Sequence, residues 1–375
     1  MTSVVPIHGS YQPNDCQFLL TPIDAHFLSI EEKERRIQSG EAHYSEMIHR
    51  EAPPSEKYLS LFKSLCQRYA PRLASEVCQL AGHLLADIGR SDEPIGLISL
   101  VRAGTPVGAL LRRALVNQAQ QPCEHYSISI IRDRGIDTRA LDYLLDGVAL
   151  APERPVFIDA WTAKGVITQE LKHSLEQYNL SRIDKGLTPI PPRLAVISDI
   201  GGTADYAATC EDYAIPSGVL NATVSGLISR SVLNDQVSHD SFHGCVIYDD
   251  LAQHDLSRAF LDQVSQYFPA IIVSGSTTTA ASRARQRRLM ASMLNSIIRD
   301  YKVQDINHIK PGIAEATRVM LRRVPALLLI RDKTHSDVEH LLLLAEEKGV
   351  PVIERQDMPF LACSLIKAMN YEVPA

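Results

Sequence analysis

Two short segments of the sequence carry residue types that bind phosphate groups. In the first, an apolar run is followed by a loop and a helix start, made of Arg102, Ala103, Gly104, Thr105 and Pro106. Glycine lets backbone approach a ligand closely, arginine brings a permanent forked cation, and proline favours the first turn of a helix. This segment predicts a loop that can hold a pyrophosphate. The alternative is a structural turn whose arginine pairs with a carboxylate, and the two interpretations are about equally supported.

In the second segment, Asp159 directly follows the apolar run 156–158 and precedes a small polar loop with Thr162, Lys164 and Gly165. A carboxylate at a strand tip can accept hydrogen bonds from ribose hydroxyls, and backbone amides beside a lysine can surround a phosphate. Trp161, the only tryptophan, stands in this loop. Because loops after neighbouring parallel strands open onto the same crevice, we expect both segments to share one site.

The elements that position these loops follow from the hydrophobic pattern. Ser55 can cap a helix whose apolar stripe recurs at three- and four-residue spacing. Strands buried on both faces are predicted for runs that are apolar at consecutive positions, at residues 95–101, 127–131, 156–158 and 194–198, with further short strands at 245–248 and 270–273. The alternation of strands and helices predicts an α/β fold with a mostly parallel sheet.

The C-terminal part has a compact pattern of its own. A helix to about residue 298 follows the polar stretch 274–279, and the remaining elements are predicted as helix 313–323, strand 326–330, helix 337–348, strand 350–354 and helix 360–369. Ser336 and Glu339 have the spacing of a capping box at the start of helix 337–348, and Gly349 can end that helix. We divide the chain into an N-terminal extension (1–54), a main domain (55–275), a basic helical linker (276–300) and a C-terminal domain (301–375).

Composition narrows the class of protein. A chain of 375 residues predicts two or three domains, and 45% apolar with 22% charged residues is typical of globular proteins. The N-terminus lacks the pattern of a signal peptide and no apolar run is long enough for a membrane span, so we expect a cytoplasmic protein without a membrane partner. Seven cysteines without a CxxC pair favour a reducing compartment and disfavour a thiolate metal site.

The charge is unevenly distributed along the chain. Residues 276–375 carry 15 Lys and Arg against 11 Asp and Glu, whereas the first 275 carry 23 against 33. Four arginines lie close together at Arg283, Arg285, Arg287 and Arg288. They favour a phosphate-rich partner, although a solvated helix face explains such a cluster equally simply and more often.

The order of strand, RAGTP loop, helix, strand with Arg132-Asp133-Arg134-Gly135, and FIDAWTAKG loop resembles the type I phosphoribosyltransferases. The chain as a whole is similar to the phosphoribosyltransferase-like family found beside tellurite-resistance (Ter) stress genes, whose members carry a C-terminal Pelota-type RNA-binding domain. Members of that family are also called cysteine protease StiP. The resemblance implies a type I phosphoribosyltransferase sheet followed by a smaller α/β/α domain.

The resemblance also implies a chemistry. Phosphoribosyl diphosphate would bind with Mg²⁺, and a base nitrogen would displace pyrophosphate from carbon 1 of the ribose. Asp159 would hold the ribose hydroxyls and Arg132 or Arg134 would cover the site, while Mg²⁺ would be held without direct side-chain ligands. The sequence departs from the family at Ala160, where a second acid is usual, and at Lys164, where a small residue is usual.

The C-terminal segment 309–318 resembles the helix start with which Pelota and the ribosomal kink-turn binders enter an RNA groove. By this resemblance Lys310 and Arg318 would meet phosphates, Gly312 would lead the helix, and Glu315 would accept a hydrogen bond from a base edge. Ala314 stands where those binders usually have asparagine. Structured RNA is the predicted partner, and a protein-docking module is the alternative.

Weaker signals complete the list of candidates. Asp199-Ile200-Gly201-Gly202-Thr203 resembles an aspartyl phosphatase motif without its second acid, so a turn is the preferred interpretation. His243 lies two residues before Cys245, a spacing that does not by itself create a cysteine nucleophile, and cysteine hydrolase remains the second choice. A non-catalytic nucleotide or RNA sensor is a further alternative. Residues 38–45 and 217–230 are polar enough to line a pocket, and a homodimer is compatible with the sequence.

Overall fold

The structure, a computed structural model, describes residues 5–276 and 278–368. Its α-helices are α1 (Ile30–Gln38), α2 (Glu56–Ile88), α3 (Gly104–Ala119), α4 (Thr138–Asp142), α5 (Val166–Asp184), α6 (Ser257–Ser265), α7 (Ala280–Asp300), α8 (Ile313–Arg322) and α9 (Glu339–Lys348). In this part of the chain no helix is long and apolar enough to cross a membrane.

The strands form two larger sheets and two small ones. They are β1 (Gln17–Leu19), β2 (Thr21–Pro22), β3 (Ile95–Leu100), β4 (Cys123–Ile128), β5 (Ile130–Ile131), β6 (Gly135–Ile136), β7 (Pro155–Ile158), β8 (Trp161–Thr162), β9 (Leu194–Asp199), β10 (Tyr206–Thr209), β11 (Gly244–Cys245), β12 (Ile309–Pro311), β13 (Pro325–Ile330), β14 (Val352–Glu354) and β15 (Ala362–Ile366). The central sheet has the order β1-β4-β3-β7-β9-β10, with β8 added to β9, and all of its pairings are parallel.

Strands β3, β7 and β9 are buried along their whole length, as expected where helices cover both faces of a parallel sheet. The Ser55 hydroxyl accepts a hydrogen bond from the Tyr58 amide and caps α2, as predicted. Helix α2 runs unbroken through Pro71 and packs its apolar stripe into the largest core cluster. The predicted fold class is confirmed in its α/β nature and its mostly parallel sheet.

The N-terminal segment is part of the main body of the protein. Strand β1 extends the central sheet at its edge by pairing with β4, and β2 pairs with β11, which holds Cys245. Helix α1 begins after Ser29, whose hydroxyl accepts from the Glu32 amide. These contacts bring residues 30–51 to the carboxyl ends of the central strands.

The C-terminal domain is built on a mixed sheet of order β12-β15-β13-β14. Strand β13 is parallel to β14 and antiparallel to β15, and α8 packs against β15. Gly349 ends α9 with a φ of 62°, the left-handed conformation that glycine adopts without strain. The sequence analysis placed this glycine correctly.

Several predicted elements are wrong. Residues 270–273 form no strand, and Ile272 is 76% exposed, because this apolar run has no neighbouring strand to pair with. The predicted helix 360–369 is instead β15 over its middle, since residues 362–366 are buried at consecutive positions between two strands; Met369 lies outside the described residues. The predicted capping box is absent, because a 3₁₀ turn at Ser336–Val338 precedes α9 and is capped by His335.

Candidate functional site

Asp159 lies at the carboxyl end of β7, where the chain leaves the central sheet. One of its carboxylate oxygens accepts a hydrogen bond of 2.8 Å from the Ala160 amide. The side chain of Ala160 is fully buried in the main core, so a second carboxylate at that position would have to enter the hydrophobic interior. This explains in physical terms why alanine follows Asp159 in this chain.

The loop after Asp159 leads directly into α5. Gly165 has a φ of 77°, and a Cβ there would lie 2.7 Å from Thr203 Cγ2, so glycine is required at this turn. No side chain caps the N-terminus of α5. Gly165, Val166 and Ile167 line a cavity, which brings this uncapped helix start to the cavity wall. Free amides at a helix start favour an anion.

The other loop residues are partly engaged within the protein. Thr162 Oγ1 is 3.0 Å from Thr203 Oγ1, and Lys164 Nζ donates a 2.7 Å hydrogen bond to the backbone oxygen of Ile306. Burial lowers the pKa of Lys164 to about 8, with Lys310 adding to the effect. Both side chains still line the cavity.

The Arg102–Thr105 turn lies directly beside Asp159. A Cβ on Gly104 would lie 2.1 Å from the backbone oxygen of Ile158 and 3.2 Å from Asp159 Cα, so only glycine permits this approach. The two predicted phosphate loops therefore meet at one edge of the sheet, as expected from the parallel pairing of β3 and β7.

The side chains of Arg102 and Thr105, however, are engaged in contacts within the protein. Arg102 is 4% exposed, forms a buried ion pair with Glu51 and donates a 2.8 Å hydrogen bond to the backbone oxygen of Ile228. Thr105 is fully buried, with Oγ1 2.8 Å from Ser127 Oγ. The helix begins at Gly104, so Thr105 does not cap it. Ala103 and Arg102 face a void of about 10 Å³ that adjoins the main cavity across Trp161.

The cavity above Asp159 has a volume of about 380 Å³ and lies between the central sheet, the N-terminal segment and the C-terminal domain. We call it the cleft. Its charged and polar lining comprises Lys33, Gln38, Tyr44, His49, Arg132, Asp159, Thr162, Lys164, Arg230, Asp305, Asn307, His308, Lys310, Glu315, Arg318, Arg322 and Arg323. The polar stretches 38–45 and 217–230 thus contribute Gln38, Tyr44 and Arg230 to a pocket.

Three of the four predicted RNA-binding residues face this cleft and lie beside the sugar-phosphate loop. Trp161 Nε1 donates a 3.0 Å hydrogen bond to Glu315 Oε1, and the Arg318 guanidinium lies 4.6 Å from the centre of the Trp161 rings. Lys310 lines the same wall. The sequence analysis placed them in a separate site, because it had no means to detect that the two domains pack face to face.

Gly312 and the start of α8 are covered by the main domain. Gly312 is buried with a φ of 91°, and a Cβ there would lie 2.9 Å from Ile200 Cδ1. Asp212 accepts hydrogen bonds from the amides of Ile313 at 2.9 Å and Leu361 at 2.8 Å. The helix start that the resemblance assigns to an RNA groove is therefore capped from within the chain.

The cleft holds more positive than negative charge. Among its cations, Arg132 pairs with Asp133, Arg318 with Glu315 and Arg323 with Glu34. The other five have no carboxylate partner among residues 5–276 and 278–368, and they are Lys33, Lys164, Arg230, Lys310 and Arg322. Buried cations are normally paired, so this surplus favours an anionic ligand.

The carboxylates of the cleft differ in their environment. Burial raises the pKa of Asp159 to about 6, and the opposing effect of Arg318 is smaller. Burial also acts to raise the pKa of Glu315, but Arg318, Lys310 and the Trp161 hydrogen bond together lower it to about 2. Glu315 is therefore a fixed negative charge, whereas Asp159 changes protonation just below neutral pH.

Only one of the two arginines predicted to cover the site lies in the cleft. Arg132 lines the cleft, and its Nη1 donates a 3.3 Å hydrogen bond to Asn307 Oδ1. Arg134 pairs with Glu46 outside the cleft lining. In the described residues there is no group of three or more His, Cys, Asp or Glu side chains that could hold a metal ion. This lining is compatible with Mg²⁺ held through the phosphate oxygens of a ligand and water, without a direct side-chain ligand, as the sequence analysis expects.

The weaker candidates have structural roles. Asp199 accepts hydrogen bonds from the amides of Gly201 and Ala204, which makes it a turn residue as preferred from the sequence. Cys245 is fully buried, and burial raises its pKa to about 12. His243 Nδ1 lies 2.7 Å from Ser129 Oγ.

Sequence reasoning missed six cationic or imidazole side chains of the cleft, which are Lys33, His49, Arg230, His308, Arg322 and Arg323. Lys33 and His49 come from the segment treated as an extension, and Arg322 from the end of α8. Arg230 lies in the polar stretch 217–230, the one signal that pointed to it.

Fold and cleft together define an α/β protein with a cationic cleft at the carboxyl ends of a parallel sheet, closed by a second α/β domain. Residues 9–265 match the family model described as tellurite-like stress resistance cysteine protease StiP, and residues 289–368 match the PELOTA RNA binding domain. The chain belongs to the StiP family. A protein of Acinetobacter baylyi named "Cysteine protease StiP" is 40% identical over 374 residues, which cover 96% of this chain and 94% of that protein.

Solved structures with some similarity are purine phosphoribosyltransferases. That of Leishmania tarentolae in complex with GMP has 15% identity and a TM-score of 0.27, covering 37% of this chain and 77% of its own. The Trypanosoma cruzi hypoxanthine enzyme in complex with IMP has 14% identity and a TM-score of 0.25, covering 56% of this chain and 95% of its own. These scores are too low to support a closer assignment.

Proposed function

We propose that the cleft binds phosphoribosyl diphosphate and that the protein transfers the phosphoribosyl group to a base. The observation that carries the proposal is the contact between the two predicted phosphate loops, with Gly104 packed against the backbone of Ile158 and Asp159. The surplus of unpaired cations in the cleft supports it, because this donor carries a phosphate on one side of the ribose and a diphosphate on the other.

Each loop has a role in this proposal. The Asp159 carboxylate accepts hydrogen bonds from the ribose hydroxyls. The amides at Gly165 and Val166, together with Lys164, hold the single phosphate at the opposite end of the ribose from the pyrophosphate. The backbone of the Arg102–Thr105 turn faces the pyrophosphate, since the Arg102 side chain is already paired with Glu51. When bound with the donor, Mg²⁺ supplies charge neutralisation to the pyrophosphate.

In the transfer step the base nitrogen forms a bond to carbon 1 of the ribose. The carbon 1–oxygen bond breaks with its electron pair remaining on pyrophosphate, and the displaced nitrogen proton passes to water. Cationic side chains around the leaving group stabilise its charge in the transition state. A sensor that binds the donor without turnover uses the same residues, and release of pyrophosphate distinguishes the two functions.

The name of the Acinetobacter relative raises cysteine protease activity as a second candidate. A cysteine nucleophile needs an accessible thiol of lowered pKa beside a base. Six of the seven cysteines are buried, Cys210 being partly exposed. Burial raises the pKa of Cys66 and Cys363 to about 12 and that of Cys78 to about 11. We therefore rank this function second.

RNA binding by the C-terminal domain is a separate proposal that rests on the family match. Lys310, Glu315 and Arg318 are its predicted contacts, and all three face the cleft in the described arrangement. RNA would have to reach them after the domains separate, or bind elsewhere on the domain.

Calorimetric titration with phosphoribosyl diphosphate and Mg²⁺ tests the proposed function. We expect saturable binding to the wild-type protein and binding weakened by about tenfold or more in Asp159→Asn, with Asp184→Asn at the exposed end of α5 as the control. Because the pKa of Asp159 is about 6, affinity should fall from pH 7.5 to pH 5.5, where about three quarters of this group is protonated. Absence of heat at millimolar donor would contradict the proposal.

A further inference from the structure

Three cations of the cleft make all their hydrogen bonds to neutral acceptors. Lys33 Nζ lies 2.9 Å from His49 Nδ1 and 3.2 Å from the backbone oxygen of Arg322. Arg230 donates to the backbone oxygens of Tyr44, Met47 and Ser231. The Arg322 Nε donates to Asn221 Oδ1 at 2.6 Å.

Among residues 5–276 and 278–368, none of these three cations has a carboxylate within ion-pair distance. The acids that act on Lys33 and Arg322 through space are paired with other arginines, Glu34 with Arg323, Glu51 with Arg102 and Glu315 with Arg318. Lys33 is only 4% exposed. Holding like charges together away from water is costly unless a counter-charge is present.

The pKa values of these side chains reflect that cost. Burial, assisted by Arg230, Arg323 and Arg322 and opposed by Glu34, lowers the pKa of Lys33 to about 7. Burial likewise lowers the pKa of Arg230 to about 10. Burial first, then Lys33, lowers the pKa of His49 to about 3, so this imidazole is neutral and its Nδ1 can accept a hydrogen bond from Lys33 Nζ.

We propose that Lys33, Arg230 and Arg322 form an anion subsite in the cleft that binds a phosphate group. The subsite is distinct from the Asp159 loop, because its cations come from α1, the 217–230 stretch and the end of α8. It deepens the proposed function, which places one phosphate at the start of α5 and gives the pyrophosphate only the backbone of the Arg102–Thr105 turn. The phosphate at this cluster is either in the diphosphate of the donor or in the nucleotide product.

Titration with inorganic pyrophosphate and with adenosine monophosphate tests the subsite and separates the two sources. The variants are Lys33→Met, Lys33→Arg and, as a matched surface control, Lys57→Met at the exposed start of α2. We expect Lys33→Met to weaken at least one ligand by about tenfold or more, with Lys33→Arg and Lys57→Met close to wild type. Weakening of pyrophosphate assigns the subsite to the diphosphate of the donor, and weakening of the monophosphate alone assigns it to the phosphate of the nucleotide product.

Loss of binding through misfolding is excluded by the stability of the same variants. Removing a buried unpaired cation should leave the urea midpoint of Lys33→Met unchanged or higher. The Asp159→Asn variant should retain pyrophosphate binding, so failure of the proposed ribose contact and failure of this subsite are distinguishable. Unchanged affinity for both ligands in Lys33→Met would overturn the proposal.

Sulfate, which does not titrate near neutral pH, provides a second readout. At pH 8 most Lys33 is neutral, so binding of the anion should draw a proton onto it. Calorimetry in two buffers of different ionisation enthalpy should show proton uptake by the wild type and a smaller uptake by Lys33→Met. Equal uptake by both proteins would contradict the role of Lys33.

Discussion

Trp161 and Glu315 join the two halves of the molecule through a 3.0 Å hydrogen bond from the indole N–H to a carboxylate oxygen. Trp161 belongs to the loop that follows Asp159, and Glu315 to the first turn of α8 in the C-terminal domain. Residues assigned by resemblance to sugar-phosphate binding, such as Asp159, and to RNA binding, such as Arg318, therefore line one cleft.

Substitution of Glu315 should make the closed arrangement less stable. The pKa of Glu315 is about 2 in the folded protein, below its ordinary 4.5, so its contribution is complete above pH 4.5 and is lost as pH falls towards 2. We expect Glu315→Gln to lower the free energy of unfolding by about 1–3 kcal/mol at pH 7. Urea denaturation from pH 7 to pH 3 should show a weaker acid dependence for this variant than for wild type or for the surface control Glu346→Gln.

Asp212 provides a way to open the cleft. Its carboxylate accepts the amides of Ile313 and Leu361, and Asp212→Ala removes both hydrogen bonds. If α8 binds RNA, the variant should bind structured RNA more tightly than wild type, and the affinity should fall with salt and in a further Lys310→Ala change. Equal or salt-independent binding by both proteins would favour a protein-docking role for the domain.

The Arg102–Glu51 pair should contribute to stability. The charge of Arg102 should not contribute to ligand binding, because it is already paired. Removing one partner of a buried pair typically costs about 3–5 kcal/mol, so Arg102→Met should be strongly destabilised. The double variant Arg102→Met/Glu51→Gln should recover part of the loss. The exposed Arg50–Asp250 pair is the control, and Arg50→Met should cost less than about 1 kcal/mol. A similar loss for both arginines would refute the structural role of Arg102.

Cys245→Ser should leave every activity of the protein unchanged. The thiol is fully buried with a pKa of about 12, and a nucleophile needs the thiolate. Peptide hydrolysis and pyrophosphate release should be measured side by side in both proteins. Loss of hydrolysis in the variant would reverse the ranking of the two candidate functions.

Local signals in the sequence predicted much of the fold. The central strands are apolar at consecutive positions, and Ser55 and Gly349 act through contacts with residues next to them in the chain. The errors concern apolar runs whose local pattern is compatible with more than one secondary structure. Residues 362–366 pack as a central strand, whereas residues 270–273 pair with no strand in the described part of the chain, and both outcomes depend on neighbours distant in sequence.

The site was predictable only in part for the same reason. The loops at Arg102 and Asp159 follow their strands directly, so their placement at one edge could be inferred. The pairing of Arg102 with Glu51 and the meeting of Lys33, Arg230 and Arg322 join segments up to 289 residues apart, as in the Lys33 hydrogen bond to Arg322. Such contacts are set by tertiary packing, within the main body for Arg102 with Glu51 and between the domains for Lys33 with Arg322, and single-sequence patterns do not encode it.

Trp161 allows the central claim to be tested directly, because the only tryptophan of the chain lines the cleft beside Asp159. Its fluorescence should be followed at pH 7.5 while phosphoribosyl diphosphate is added with Mg²⁺. We predict a saturable change in the wild type and in Asp184→Asn that requires about tenfold more donor or higher in Asp159→Asn. An unchanged spectrum in the wild type at millimolar donor, or the same saturation in Asp159→Asn, would contradict the account.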